Sequence, residues 1–434
     1  MKIGIIGGGA SGMIAAISAA RQGAEVTILE GGDRIGRKIL ATGNGKCNFT
    51  NLKMDSSCFR SNTMEDIAPY LDEFGTQDTL QFFKSLKMLY KDKNGYCYPI
   101  SEQASTVLDV LRFQIETLGI RVLTDRKARL LTYQKDGTVK VLSGTESYVF
   151  DRVILACGSK ASPKTGSDGS GYQLLRSLKC DCQIEKVVPA LVQLCCKEDY
   201  LKSVAGVRIE GKVQLFIDGQ IVCEETGEIQ LTEYGVSGIP VFQISRFASY
   251  GCLAGRKVQV QLDVMPHMET AEFQAYMEEK RNVLCDAMEQ RKSTSHNDTM
   301  EQLQAGLINK KVCSLFGKMA GISPGQRISQ VPKENFNHFV SLFKAWTLTV
   351  DKPNGFDMAQ VCAGGLSMAE INAHFAMKKC PSVYVAGELL DVDGMCGGYN
   401  LQWAWTSGYL AGKYAVLDYK ENKHGSGHDK QEIT

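Results

Sequence analysis

The chain opens on a short unbroken apolar run, residues 2–7 (KIGIIG), whose β-branched content and length predict a central parallel strand rather than a helix. Over residues 13–22 apolar and alanine positions recur at helical spacing, Gly23 stops the helix, and residues 25–29 (EVTIL) predict a second strand closed by Glu30. That is a β-α-β unit. Near the far end, residues 382–386 predict another strand, Gly387 and Glu388 a turn, and residues 397–402 the approach to a helix over 403–417. Between about 188 and 350 the pattern changes. Short alternating strands are predicted over 213–217, 220–223, 228–231 and 257–263, separated by glycine-containing turns. After Pro266 the chain turns helical and charged over 271–291, 300–307 and 311–320, with residues 290–299 (QRKSTSHNDT) as a polar linker. Two matched ends around an unlike middle imply an insertion into one α/β domain.

Gly7, Gly9 and Gly12 complete a GxGxxG fingerprint between the first strand and helix. In such a unit the first glycine makes the tight turn, the second lets backbone approach a pyrophosphate, and the third lets helix pack on strand. The pyrophosphate then rests on unpaired N–H groups at the helix start, here Ala10 and Ser11 onward. Glu30, eighteen residues beyond Gly12, is placed to accept hydrogen bonds from an adenosine ribose and would repel a 2′-phosphate. Residues 34–50 set Arg37, Lys38, Asn44 and Lys46 among glycines, which suits a loop crossing a diphosphate. Gly387, Glu388, Gly398, Tyr399, Asn400, Leu401 and Gln402 at the C-terminal end read as the flavin half of the same site. There a helix N-terminus would face the charge that grows on the ring during reduction. Asp391 and Asp393 are candidate holders of ribityl hydroxyls.

Composition narrows the partners. In 434 residues, Lys plus Arg (49) nearly cancels Asp plus Glu (48), which favours neither nucleic acid nor an anionic membrane surface. The fifteen cysteines are odd in number and include no CxxC pair, only Cys180/Cys182 and the doublet Cys195/Cys196. That predicts reduced thiols in a cytoplasm and excludes a disulfide reductase. Residues 3–20 and 394–412 are uncharged, but cleavage of the first would remove the phosphate-binding glycines, and the second carries too many polar residues and glycines for a hydrocarbon span. Both are expected to be buried cofactor segments. His424 and His428, four apart, sit among glycines in a polar tail expected to be flexible, and the other histidines have no ligand spacing. No metal is expected.

The run GRKILATGNGKCNFTN (36–51) resembles the GRK-x-x-x-(S/T)-G-x-G-x-CN-x-T-N signature of a bacterial FAD-dependent flavoprotein family that includes aminoacetone oxidase and a 3-oxo-Δ4,6 bile-acid reductase. Residues 153–172, 232–239 (TEYGVSGI), 359–371 and 383–408 are similar to its other signatures, with Cys157 where the family usually has Thr. The resemblance implies an α/β fold: a Rossmann-like, glutathione-reductase-type FAD-binding domain over 1–188 and 351–420. It is interrupted at 189–350 by a substrate-facing β-barrel (189–265) plus helical part (266–325), and followed by a flexible tail at 421–434. It adds Ala128, Cys157 and Gly158 to the cofactor contacts.

Three functions fit that frame. In the first, reduced flavin delivers hydride to an enone; in the second, oxidised flavin takes hydride from an aminoacetone-like amine and passes electrons to oxygen; in the third, the protein is a non-catalytic carrier or RNA-associated module. Near-zero net charge opposes an RNA partner. Many unpaired cysteines point to a reducing cell, where an oxygen-consuming oxidase has little use, and this favours reduction of a small-molecule steroid or bile-acid enone. NADH or NADPH would then dock transiently, since only one nucleotide fingerprint is visible. Tyr399 and Tyr234 are the candidate carbonyl polarisers. Val236, Ile239, Phe242 and Trp405 are candidate walls of an apolar pocket.

Overall fold

The computed structural model describes residues 1–64, 66–290 and 299–428. The chain forms two compact units, Met1–Pro189 together with the chain from Phe356 onward, and Ala190–Gly355. In the first unit, β1 (Lys2–Ile6) leads into α1 (Ala10–Arg21) and β2 (Glu25–Leu29), followed by β3 (Arg121–Leu123) and β4 (Arg152–Leu155). The late strands β5 (Ala376–Met377) and β6 (Cys380–Val385) complete one six-stranded sheet in the order β5-β6-β4-β1-β2-β3. All neighbours pair in parallel except β5 with β6, with Ile6 facing Leu155 and Leu29 across β1. Strand order reverses between β1 and β4. In an open parallel sheet that reversal leaves a crevice beyond the carboxyl ends of the two strands, where ligands bind.

The second unit is a closed antiparallel barrel of Leu194–Cys196, Gly235–Ser237, Gln220–Thr232, Arg208–Ile217, Val258–Asp263 and Trp346–Pro353. Residues 220–223 and 228–231, expected as two strands, belong to one long strand. Gly227 adopts φ +150° in mid-strand, and the Glu-rich stretch is held by cross-strand pairs, Arg208 to Glu228 at 2.7 Å and Lys212 to Glu224 at 3.5 Å. Helices Ile239–Leu253 and Lys333–Lys344 were not foreseen; with Thr270–Gln290 and Lys310–Met319 they give the unit its own core around Phe273, Phe316, Phe343 and Trp346. The glycines of TEYGVSGI serve this barrel. A Cβ on Gly235 would stand 1.9 Å from the Leu194 carbonyl oxygen, and one on Gly238 2.3 Å from that of Glu228. Most of the polar linker at 290–299 lies outside the described residues.

The last helix runs Tyr399–His428, four residues earlier and eleven later than the apolar pattern predicts. Residues 421–428 therefore extend it where a flexible tail was expected. Residues 429–434 lie outside the described residues, as do the side chains of His424 and His428. Among the described residues no helix is long and apolar enough to cross a membrane.

Strand Val188–Ala190 pairs with Val361–Ala363, so the chain leaves the first unit and re-enters it along one two-stranded ribbon. Replacing residues 191–354 by a short Gly/Ser linker is therefore expected to leave a protein that still binds flavin but has lost turnover. Flavin absorbance and a turnover assay check it. A soluble deletion protein that keeps turnover would show that the barrel unit takes no part in the reaction.

Candidate functional site

At the carboxyl ends of β1, β2, β4 and β6 lies a cavity of about 310 Å³ contained wholly within the first unit. Gly7 follows β1 at φ +102° and donates its N–H to the Leu29 carbonyl; a Cβ there would lie 2.7 Å from the Ala156 carbonyl oxygen. Gly12 is tighter still, with a Cβ only 2.0 Å from the Gly7 oxygen. Gly9 differs from both. Its nearest neighbour would be 4.0 Å away, because Gly9 lines the cavity at the start of α1, where no side chain caps the helix. Bare N–H groups beside an open glycine fit a diphosphate.

Glu30, at the end of β2, accepts from Gly8 N (2.8 Å) and Gly32 N (2.7 Å), which fixes both carboxylate oxygens at the cavity wall. Each oxygen retains a lone pair for a ribose hydroxyl. Lys127, ion-paired with Asp168, and Ala128 line the cavity as well. Elsewhere on the lining, Lys38 from the short helix α2 (Arg37–Ala41) pairs with Glu388 beyond β6 at 2.7 Å, and Glu388 also accepts from Cys362 N. Arg37 donates to the Lys164 carbonyl at 2.6 Å. Cys157 and Gly158 follow β4, and burial pushes the Cys157 thiol up to about 12, which keeps it protonated and inert. Two buried polar atoms on the lining residues have no hydrogen-bond partner, Ser167 Oγ and Trp403 Nε1. Orphaned donors beside an anion cradle and a ribose-binding acid are what a bound dinucleotide would satisfy. The residues fit FAD.

The family description "HI0933-like protein Rossmann domain" matches residues 1–414. The chain belongs to the HI0933-like family. A relative within reach of this HI0933-like protein is the 3-dehydro-bile acid delta(4,6)-reductase of Clostridium scindens, 42% identical over 96% of this chain and 99% of that protein. The ribosomal RNA dihydrouridine synthase of Haemophilus influenzae is 26% identical over 93% of this chain and 96% of its own length. Its Escherichia coli counterpart is 24% identical over 93% and 95%.

The HI0933-like site does not gather every residue that the sequence nominates. Gly7, Gly9, Ala10, Ser11, Glu30, Arg37, Lys38, Ala128, Cys157, Gly158, Glu388, Asn400 and Leu401 line the cavity. Gly12, Gly387 and Gly398 serve close packing instead: a Cβ would lie 2.6 Å from Ser11 Oγ at Gly387 and 2.8 Å from the Thr50 oxygen at Gly398. Asn44 is exposed, and Lys46 is an exposed partner of Glu102 at 2.9 Å, so this end of the basic loop faces solvent. Asp391 is fully buried, lies off the cavity lining, and accepts from Asn62 N, Asn62 Nδ2, Ser61 Oγ and Thr63 Oγ1, so these partners come from within the protein. Gln402 is likewise buried, donating to Thr79 and Thr406 and accepting from Thr50. Gly8, Lys127, Ser167 and Trp403 line the cavity without having been nominated.

The expected catalytic and apolar residues scatter further. Tyr399 packs its ring on Phe59 and donates its hydroxyl to the Lys53 carbonyl at 3.1 Å, off the cavity lining, and burial raises its pKa. Tyr234 belongs to the barrel unit, 37% exposed. Trp405 is wholly buried and donates to the Phe49 carbonyl at 2.8 Å, and Val236 lies in the barrel core; neither lines this cavity. Ile239 is 61% exposed.

Proposed function

We propose that the protein is an FAD-dependent oxidoreductase that reduces a C=C bond conjugated to the 3-oxo group of a bile-acid-type steroid, with NADH or NADPH as the transient electron donor. What carries the substrate reading is the 42% identity, over nearly the whole length of both chains, to a 3-dehydro-bile acid delta(4,6)-reductase. The more distant relatives act on uridine in ribosomal RNA, and uridine C5=C6 is also conjugated to a carbonyl, so one chemistry spans the set. Identity favours the steroid over the polyanion. So does the charge, 49 basic against 48 acidic residues, which supplies no general attraction for RNA.

When bound, FAD supplies hydride for the electron-poor carbon of the enone. The chain's own part is to hold it: α1 N–H groups and the open face of Gly9 take the diphosphate, and Glu30 takes the ribose. The first residues of the terminal helix, Asn400 and Leu401, bring a helix N-terminus to the cavity, where its dipole favours growing negative charge. Asn400 is fixed there by bonds to Gly394 N and O, so that end of the site is preorganised. The Lys38–Glu388 pair keeps the lining near neutral charge between them.

The test is anaerobic. Protein reduced by one equivalent of dithionite is mixed in parallel with a 3-oxo-Δ4,6 bile acid and with a ribosomal RNA fragment, while oxidised protein is mixed with aminoacetone. Return of the 450 nm band with the steroid supports the proposal. Return with RNA alone, or bleaching by the amine with rapid oxygen uptake once air is admitted, would reassign the substrate or make the protein an amine oxidase.

Because the Tyr399 hydroxyl is engaged by Lys53, Tyr399→Phe is expected to change the rate of reoxidation by an enone by less than about tenfold. Stopped-flow rates check it, and a larger loss would restore Tyr399 as the proton donor.

A further inference from the structure

One segment outside the fingerprint supplies a continuous stretch of the cofactor cavity's wall. Residues 163–168 (PKTGSD), in the connection from β4 to helix Ser170–Ser177, all line it. The connection is pinched at its base into a loop. Gly169 N donates to the Ser159 carbonyl at 2.7 Å, and the flanking Gly158 and Gly169 hold left-handed backbone at φ +70° and +79°, which a side chain would strain. One leg is tied to the chain around residues 356–359: Ser162 N donates to the Phe356 carbonyl at 2.9 Å and Ser162 Oγ to the Ala359 carbonyl at 3.1 Å. The tip is held by charged side chains from other elements of the unit. Arg37 of α2 donates to the Lys164 carbonyl at 2.6 Å, and Lys127, which precedes strand Ala128–Tyr133, is ion-paired with Asp168. Both bonds join residues of the cavity lining. Between them the tip passes close to the ribose-binding acid, since a Cβ on Gly166 would lie 3.9 Å from Glu30 Oε1.

We propose that residues 159–168 are a clasp over the adenosine end of the cofactor site, with Lys127 and Asp168 as its latch, and that the clasp opens to let FAD in and out. The proposal rests on FAD as the occupant. A ribose bonded to Glu30 lies beside Gly166, so the adenosine end passes the tip on its way to or from solvent. The latch is built to yield. Its two side chains are 51% and 34% exposed, and ion pairs at that exposure are weak, so the tip is held shut most of the time without being fixed. Asp168 divides its two oxygens: Oδ1 accepts from Ser170 N at 3.0 Å at the start of the following helix, and Oδ2 faces Lys127. Loss of the Lys127 bond therefore frees the tip and leaves the helix start in place. Lys127 and Asp168 act as positioning residues, setting the rate of FAD exchange through the loop they fasten.

Flavin fluorescence in stopped flow follows FAD uptake by the apoprotein and FAD release from the diluted holoprotein, for the wild type, Lys127→Met, Asp168→Asn and the double variant. Asparagine keeps an oxygen for Ser170 N. Each single variant is expected to speed uptake and release alike, by about threefold to fivefold, with Kd unchanged within about twofold. The double variant should be no faster than either single one, because the two side chains form one latch, and Lys127→Arg should restore the wild-type rates. Faster release with unchanged uptake would make Lys127 a direct ligand of FAD and overturn the clasp. Unchanged rates, or effects that add in the double variant, would overturn it too. A wild-type apoprotein that took up no FAD would overturn the cofactor reading on which the clasp rests.

Discussion

Gly9→Val is expected to purify folded and colourless. The three glycines of the fingerprint are not equivalent in the structure, and only one has a side-chain volume to spare. Valine at position 7 would meet the Ala156 carbonyl oxygen at 2.7 Å from a left-handed backbone, and at position 12 the Gly7 oxygen at 2.0 Å, so both variants should damage the fold. At position 9 the backbone is ordinary extended, φ −80° and ψ −166°, and the first atom a Cβ meets is 4.0 Å away. Valine fits there without strain, in the space a diphosphate needs. FAD affinity should fall by more than about a thousandfold, about 4 kcal/mol, while Tm matches that of the wild-type apoprotein rather than the holoprotein. The ratio of absorbance at 450 and 280 nm and calorimetric titration with FAD read the two effects separately. A variant that purified yellow at full occupancy would remove α1 from the cofactor site.

The same comparison explains how much of the site the sequence discloses. Gly7, Gly9 and Glu30 act where local chain geometry puts them, at the ends of β1 and β2, so spacing alone finds them. Lys127, Ser167 and Trp403 reach the cavity only because β3, β4 and the terminal helix converge there, and no local pattern marks that convergence. Asp391 and Gln402 fail in the opposite direction. In the sequence, a buried polar residue bonded to its own fold looks the same as one that awaits a ligand. Only the hydrogen bonds that Asp391 accepts from residues 61–63 and those that Gln402 accepts from Thr50 and donates to Thr79 and Thr406 tell them apart.

The barrel shows a related limit. Alternation marks its strands, yet Gly227 reads as a turn although it lies within a strand, because the cross-strand charge pairs that continue the ladder involve residues 208 and 212. Helix Ile239–Leu253 is masked by Pro240 and the preceding glycines. Proline is tolerated in a first helical turn because its missing N–H has no partner there in any case. The terminal helix was undercounted for a simpler reason: beyond residue 417 it loses its apolar face, and periodicity ends before the helix does.

Gly412→Val should cost stability where Gly9→Val does not. The terminal helix lies against α1 at backbone contact, since a Cβ on Gly408 would stand 2.4 Å from the Ser11 carbonyl oxygen and one on Gly412 2.3 Å from that of Ala15. The two glycines are one turn apart, and the nearest atom each faces is a main-chain oxygen, which cannot swing aside as a flexible side chain would. Both helices are buried along this seam, with Ile14, Ala15, Leu410 and Ala411 fully enclosed, and Ser18 Oγ donates to the Tyr409 carbonyl at 2.9 Å. Forcing valine into the seam must part the helices. The expected loss is about 3 kcal/mol or more, a Tm lower by about 5 °C or more. Gly408→Ala is the smaller change, but it presses on Ser11 in the first turn of α1, so it should weaken FAD binding as well as stability. Thermal melts of apoproteins, with FAD titrations beside them, give each variant two numbers. Gly9→Val should move affinity alone, Gly412→Val mainly stability, and Gly408→Ala both. Unchanged melting of Gly412→Val would mean that the helices do not meet at these glycines.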